Sequence, residues 1–147
     1  MNDLEAFARL VPLDHGLVVV STARADGTIQ SSVVNAGVLD HPVTNRAVVA
    51  FVAAGSARRL TNLRARPRTT LVVRAGWQWA AVEGPVELAG PDDRLEGIDG
   101  ERLRLLLREI FTAAGGIHDD WDEYDRVMAN ERRVAVLVEP ERTYGNS

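Results

Sequence analysis

LVVVSTARADGTIQSSVV, residues 17–34, decides how the chain is read. Leu17-Val18-Val19-Val20 is an apolar, β-branched run that opens after Gly16 and continues through Ser21, Thr22 and Ala23, the composition of a buried strand. Asp26-Gly27 separates it from residues 29–34, and that dipeptide is favoured in tight hairpins that need a positive φ. Strands joined so closely pair antiparallel. A Rossmann sheet, whose parallel strands need crossovers of about a dozen residues or more, is therefore disfavoured.

Outward from this hairpin the pattern stays mostly β. Leu4 to Leu10 reads as a short helix with an Asn2–Glu5 capping box. His41-Pro42 marks a loop, and residues 46–53 (RAVVAFVA) read as the third strand of a meander. Residues 57–66 look helical, with Ser56 as N-cap, Leu60 and Leu63 on one face and Pro67 beyond the end. Residues 69–73 form a fourth strand and 77–88 a fifth, bent at Gly84-Pro85. Residues 90–100 are acidic, turn-rich and expected to be mobile, and either they or residues 119–124 are expected to gate a substrate pocket. Leu103, Leu106, Leu107, Ile110 and Phe111 follow helical spacing until Gly115-Gly116. An acidic helix over 119–130 and a final strand over 132–138 complete the chain. This order predicts a mainly-β single domain over residues 1–147, a small barrel of about six antiparallel strands with helices packed outside.

Composition removes more chemistries than it suggests. The chain of 147 residues has no Cys, so disulfides, thiolate nucleophiles and cysteine metal sites are excluded. All 17 basic residues are Arg, which excludes lysine Schiff bases. His15, His41 and His118 lack one-face ligand spacing, so no metal site is expected. No stretch approaches the ~20 apolar residues of a membrane span, and a cytoplasmic protein is expected. There is no G-x-S-x-G, and no His has a motif-defined partner. The carboxylate clusters Asp92-Asp93 and Asp119-Asp120-Asp122 fall in loop or cap contexts and read as structural, so no catalytic residue is assigned.

The net charge of −4 is unevenly distributed. Residues 56–74 hold six Arg and no acid, so the remainder carries −10. A local positive field in an acidic protein points to a specific anion rather than to nucleic acid. At residues 51–63 a strand feeds a helix start through small residues, where free N–H groups and Arg58 or Arg59 suit a phosphate. The alternative is an ordinary capped helix with solvated arginines. Trp77 and Trp79, two apart on an expected strand, share a face and suit a flat aromatic ligand, or belong to the core. Gln30 and Ser32 share a face on which they either meet a heterocycle edge or face water. Asn35 has the other parity.

Four stretches, in order, resemble the split β-barrel flavin- and deazaflavin-binding proteins of the pyridoxamine 5′-phosphate oxidase type. They are residues 17–34, SARRLTNLRARPR at 56–68, GWQWAAVEG at 76–84, and HDDWDEY at 118–124 running through Met128 to Arg132-Arg133-Val134 and RTYG at 142–145. The last two stretches resemble the actinobacterial branch that uses the deazaflavin coenzyme F420. The resemblance implies an FMN-binding split barrel fold, a homodimer with cofactor sites between subunits, and a reductase passing a hydride from reduced F420 to a conjugated small molecule. It places the phosphate-bearing tail at Ser56, Ala57, Arg58 and Arg59 and the ring near Trp77 and Gln30. Ser32, Val52, Asn62 and Trp79 complete the cofactor-binding set. An FMN-dependent oxidase and a noncatalytic carrier of the cofactor are the alternatives. Arg59 stands where relatives commonly carry lysine, keeping the charge and widening the donor fork.

Overall fold

A computed structural model describes residues 4–146. Two strands of twelve residues, β2 (Ile29–Asp40) and β5 (Gln78–Ala89), run through both halves of a barrel and hold them together. In its first half β2 pairs with β1 (Leu17–Ala23), and from Ala36 onward with β3 (Ala47–Ala53). Likewise β5 pairs first with β4 (Arg68–Ala75) and then, from Val86, with β6 (Val134–Val138). The antiparallel pairings β1–β4 and β3–β6 close a six-stranded ring, and β7 (Arg142–Gly145) adds to the free edge of β5 at Ala80–Glu83. The expected mainly-β barrel of about six antiparallel strands is the fold found, with β7 in addition.

The hydrophobic pattern explains the layers. Val18 and Val20 alternate inward with Leu71, Val73, Val82, Val136 and Val138, and fill the barrel interior. Helix α1 (Leu4–Leu10) and helix α2 (Arg58–Ala65) add Phe7, Leu10, Leu60 and Leu63 to that interior. β6 is buried along its whole length because its other face, with Ala50 of β3, carries helix α3 (Gly100–Ala113) and helix α4 (Trp121–Asn130). No helix among the described residues is long and apolar enough to cross a membrane.

Several local expectations are corrected. The Asp26-Gly27 turn is a three-residue loop: Arg24 N–H donates to Thr28 O at 2.8 Å, and only Gly27 takes the left-handed conformation. Asp26 Oδ1 accepts from the Thr28 amide and hydroxyl instead, which pins the bend. β2 continues six residues past Val34, to Asp40. Ala57, not Ser56, is the N-cap of α2, because Ala57 N–H bonds Ala54 O at 3.0 Å and turns Ser56 out to solvent. Asn2, half of the expected capping box, lies outside the described residues. Residues 90–100 do not begin as a free lid: Gly90 and Asp93 exchange backbone bonds, and bidentate ion pairs join Asp93 to Arg64 and Asp92 to Arg132.

Asp125 joins α3 to α4. Its carboxylate accepts from Arg108 Nε at 3.0 Å, from Arg108 Nη2 and from Arg104 Nη1 at 2.9 Å, and Arg108 first, then Arg104, holds it below the usual carboxylate range. A depressed folded-state pKa stabilises the protein above the unfolded value of ~3.9 and loses that contribution as pH falls through the folded value. Asp125→Asn is therefore expected to lower Tm by roughly 2–5 °C at pH 7, with the difference vanishing in strong acid. Thermal melts from pH 7 to 3 check it; an unchanged pH 7 Tm would mean the bridge contributes nothing.

Candidate functional site

Arg59 is the centre of the candidate site. It projects from the first turn of α2 and its Nε donates to Ser32 Oγ on β2 at 3.3 Å. Burial first, and the neighbouring guanidinium of Arg133 second, push its pKa below the ordinary arginine value. Among the described residues no carboxylate pairs with it. This contrasts with the rest of the arginine run. Arg64 is paired with Asp93 and Arg68 with Glu141, while Arg66 and Arg74 bond the carbonyls of Ala23 and Gly76. Of the run, Arg64 and Arg68 are thus neutralised by carboxylates, while Arg58, Arg59, Arg66 and Arg74 keep their charge, and of these Arg59 borders a cleft.

One turn further along α2, the buried Asn62 donates from Nδ2 to Thr22 Oγ1 at 3.0 Å and to Gln30 Oε1 at 2.9 Å. Gln30 and Ser32 thus share a face as their parity required, and that face meets α2 rather than water. Arg59, Asn62, Ser32 and Gln30 form one polar seam between helix and sheet.

Arg59 and Val52 border a cleft of about 400 Å³, walled also by Val33, Asn35, Phe111, Tyr124, Met128 and Arg133. Eight of its eleven lining residues are apolar or aromatic, and Asn35, Arg59 and Arg133 supply the polar part. Tyr124 donates its hydroxyl to Leu107 O at 2.9 Å, and burial pushes its phenol up to about 12, so at neutral pH it is a fixed aromatic wall. The Phe111 ring lies 5.1 Å from it, centroid to centroid. Asn35 Nδ2 donates to His15 O at 2.9 Å and to Ala114 O at 3.3 Å, which stitches β2 to the end of α3. Arg133 is ion-paired with Glu131 and completes the rim. The arrangement suits a flat, mostly apolar ring with an anionic substituent. A larger cleft of about 710 Å³ lies around residues 89–103, lined almost entirely by that one loop and without the Arg59 seam.

The tryptophans go elsewhere. Gly76 and Trp77 are the two central residues of the β4–β5 hairpin, with Ala75 opposite Gln78, so Trp77 is outside the strand and 93% exposed. The same-face expectation for Trp77 and Trp79 therefore fails, because period-two alternation holds only within a strand. Trp79 packs edge-on to Tyr144 at 6.0 Å, while Asn146 bonds the Trp79 amide and the Trp77 carbonyl. Within one chain neither indole lines the Arg59 cleft. Ser56 and Ala57 lie on the turn leading to Arg59 without lining it either.

Tyr124, Met128 and Arg133 were visible in the sequence only as members of a motif. Their arrival at the Arg59 cleft depends on α4 and β6 folding back across β3, a long-range event with no local signature.

No family model matches the chain. Solved structures of similar fold do exist. A conserved hypothetical protein of Mycobacterium tuberculosis superposes with a TM-score of 0.70 at 19% identity, covering 99% of this chain and 84% of that one. A pyridoxamine 5′-phosphate oxidase-related FMN-binding protein of Nostoc punctiforme gives 0.68 at 11% identity, over 99% and 84%. An F420 reductase gives 0.58 at 17% identity, over 87% and 88%. With β2 and β5 each shared between two half-barrels, the chain has the split β-barrel fold of the pyridoxamine 5′-phosphate oxidase-like proteins.

Proposed function

We propose that the protein is an oxidoreductase that binds reduced F420 and passes its hydride to a conjugated small molecule. The observation that carries this reading is Arg59, a half-buried guanidinium with no carboxylate partner among the described residues, beside a second guanidinium on the rim of a largely aromatic and apolar cleft. Holding such a charge without a counter-ion is unfavourable until an anion arrives, and phosphate suits its donor fork. Arg59, steadied by Ser32, would hold the cofactor's phosphate, with Arg58 and Arg133 beside it; Val52, Phe111, Tyr124 and Met128 would flank the ring. The cofactor supplies the hydride when bound. The chain's own part is to orient the ring, exclude water through the apolar wall and match the tail's charge.

The same reading makes the protein a homodimer. Val33, Val19, Val72, Ala81 and Tyr144 are successive cross-strand partners in one row across β2, β1, β4, β5 and β7. Val33, Val19 and Tyr144 of this row are exposed, as are Leu17 of the same sheet and Trp77 at its hairpin tip. An apolar sheet face of this kind is suited to burial against a second copy. Trp77 and Trp79 would then serve a site completed between subunits.

Titrating the protein with F420 and with FMN, following tryptophan fluorescence, tests this function. Micromolar or tighter binding of F420 with little response to FMN is expected, together with a solution mass twice the chain's 16.1 kDa. The reverse preference would make the protein an FMN enzyme. Tight F420 binding without turnover across conjugated acceptors would make it a carrier.

A further inference from the structure

Arg59 and Arg133 carry like charges, and no hydrogen bond joins them, yet they border the same cleft. Glu131 offsets part of the Arg133 charge, and two ties hold α2 and the α4–β6 turn beside one another. The first is at Gly55, where the chain passes from β3 into the turn before α2. Gly55 N–H donates to Glu131 O at 3.1 Å, and a Cβ on Gly55 would lie 2.7 Å from Arg132 O and 2.9 Å from Arg132 Cβ. Arg132, the neighbour of Arg133, is itself left-handed, with φ 49°, a conformation that costs a non-glycine residue energy. A second tie runs through consecutive carboxylates: Asp93 takes both donors of Arg64 on α2, at 2.9 and 2.7 Å, and Asp92 those of Arg132, at 3.3 and 2.7 Å. Asp93 is the better buried of the two, so it is the stronger strap.

We infer that Gly55 is a positioning residue of the anion site. Its missing Cβ lets the α4–β6 turn seat Arg133 close to Arg59, the Asp93–Arg64 pair holds that seat, and the spacing so fixed determines which anion the two guanidiniums prefer. This rests on the reading of Arg59 as an anion-binding group. A methyl group at residue 55 must push the turn outward, because its nearest neighbours are backbone and Cβ atoms rather than the end of a flexible side chain. A wider pair favours a longer anion.

The test is a ³¹P NMR titration with inorganic phosphate and with pyrophosphate on the full chain and its Arg59→Ala, Gly55→Ala and Asp93→Asn variants. Circular dichroism first establishes which variants fold. Arg59→Ala is expected to lose most affinity for both anions. Gly55→Ala is expected to shift selectivity towards pyrophosphate by about threefold or more, and Asp93→Asn to shift it less in the same direction. A general loss of stability would not move that ratio. If Gly55→Ala does not fold, Asp93→Asn decides by the same ratio. Unchanged phosphate affinity in Arg59→Ala would overturn the anion site itself. Loss in Arg59→Ala with an unmoved ratio in the folded positioning variants would overturn the role of Gly55 and leave the site standing.

Discussion

Arg59→Ala is expected to weaken binding of the phosphate-bearing cofactor by roughly 1–3 kcal/mol, about 5- to 150-fold in Kd, while leaving the fold intact. The size of the effect comes from the exchange it undoes. In the free protein this guanidinium is half-buried, donates to one hydroxyl and faces another positive charge, so it has lost hydration without gaining a counter-ion. An anion that fills the position restores charge-assisted bonds. In the alanine variant the anion meets only Arg58 and Arg133, of which the first is solvent-exposed and the second is already engaged by Glu131. Stability should barely fall, and can rise, because an uncompensated positive charge is removed. Arg58→Ala is the internal control, expected to change Kd less than about threefold, since an exposed charge acts through screened attraction. Fluorescence titration at fixed ionic strength measures both. Equal affinity for wild type and Arg59→Ala would remove Arg59 from the site.

How much of this was legible beforehand varies residue by residue, for identifiable reasons. β3 and β6 announce themselves because buried strands are written as uninterrupted runs such as AVVAFVA and VAVLV, whereas β1, whose LVVV reads as buried in the same way, alternates instead, with Val18 and Val20 inside and Leu17 and Val19 exposed. The far half of β2 was hidden behind Asn35-Ala36-Gly37, which reads as a break. In the structure Gly37 is a strand residue whose absent Cβ leaves room for the Ala113 backbone at the end of α3, a reason that exists only after packing. β7 carries four residues and no periodicity, and it exists because β5 offers a free edge. Arg64 and Arg68 looked unopposed because their carboxylate partners lie 29 and 73 residues away in the chain. Arg59, Ser32 and Gln30 were recoverable because strand parity and helix-start signals are local rules, while Asn62 came only from the family resemblance. The aromatic wall that meets them was not, since α3 and α4 supply it from another part of the chain.

Gly84 provides the sharpest test of the architecture. Gly84→Ala is expected to destabilise the protein by about 3 kcal/mol or more, among the largest effects open to a single methyl group. The sequence marks Gly84-Pro85 as a bend in β5, and the structure gives the reason. β5 changes partner here, from β4 to β6, and the segment joining β6 to β7 is laid directly across it. Glu139 N–H bonds Pro85 O at 3.0 Å, Glu141 N–H bonds Glu83 O at 2.9 Å, and a Cβ on Gly84 would sit 1.7 Å from Glu139 O. That oxygen belongs to a backbone tied on both sides, so relief requires the whole crossing to lift and those two bonds to lengthen. Replacing a strand glycine with alanine gains at most about 1 kcal/mol through the lower entropy of the unfolded chain, so the clash outweighs it. Gly100→Ala is the matched control. It opens α3 with nothing within 4 Å of its would-be Cβ, and should be neutral or slightly stabilising. Urea unfolding of both variants at one protein concentration, followed by tryptophan fluorescence, separates the two cases. A Gly84→Ala protein that unfolds at the wild-type midpoint would mean that the β6–β7 connection does not cross β5 there, and with it the corner that makes this a split barrel would be lost.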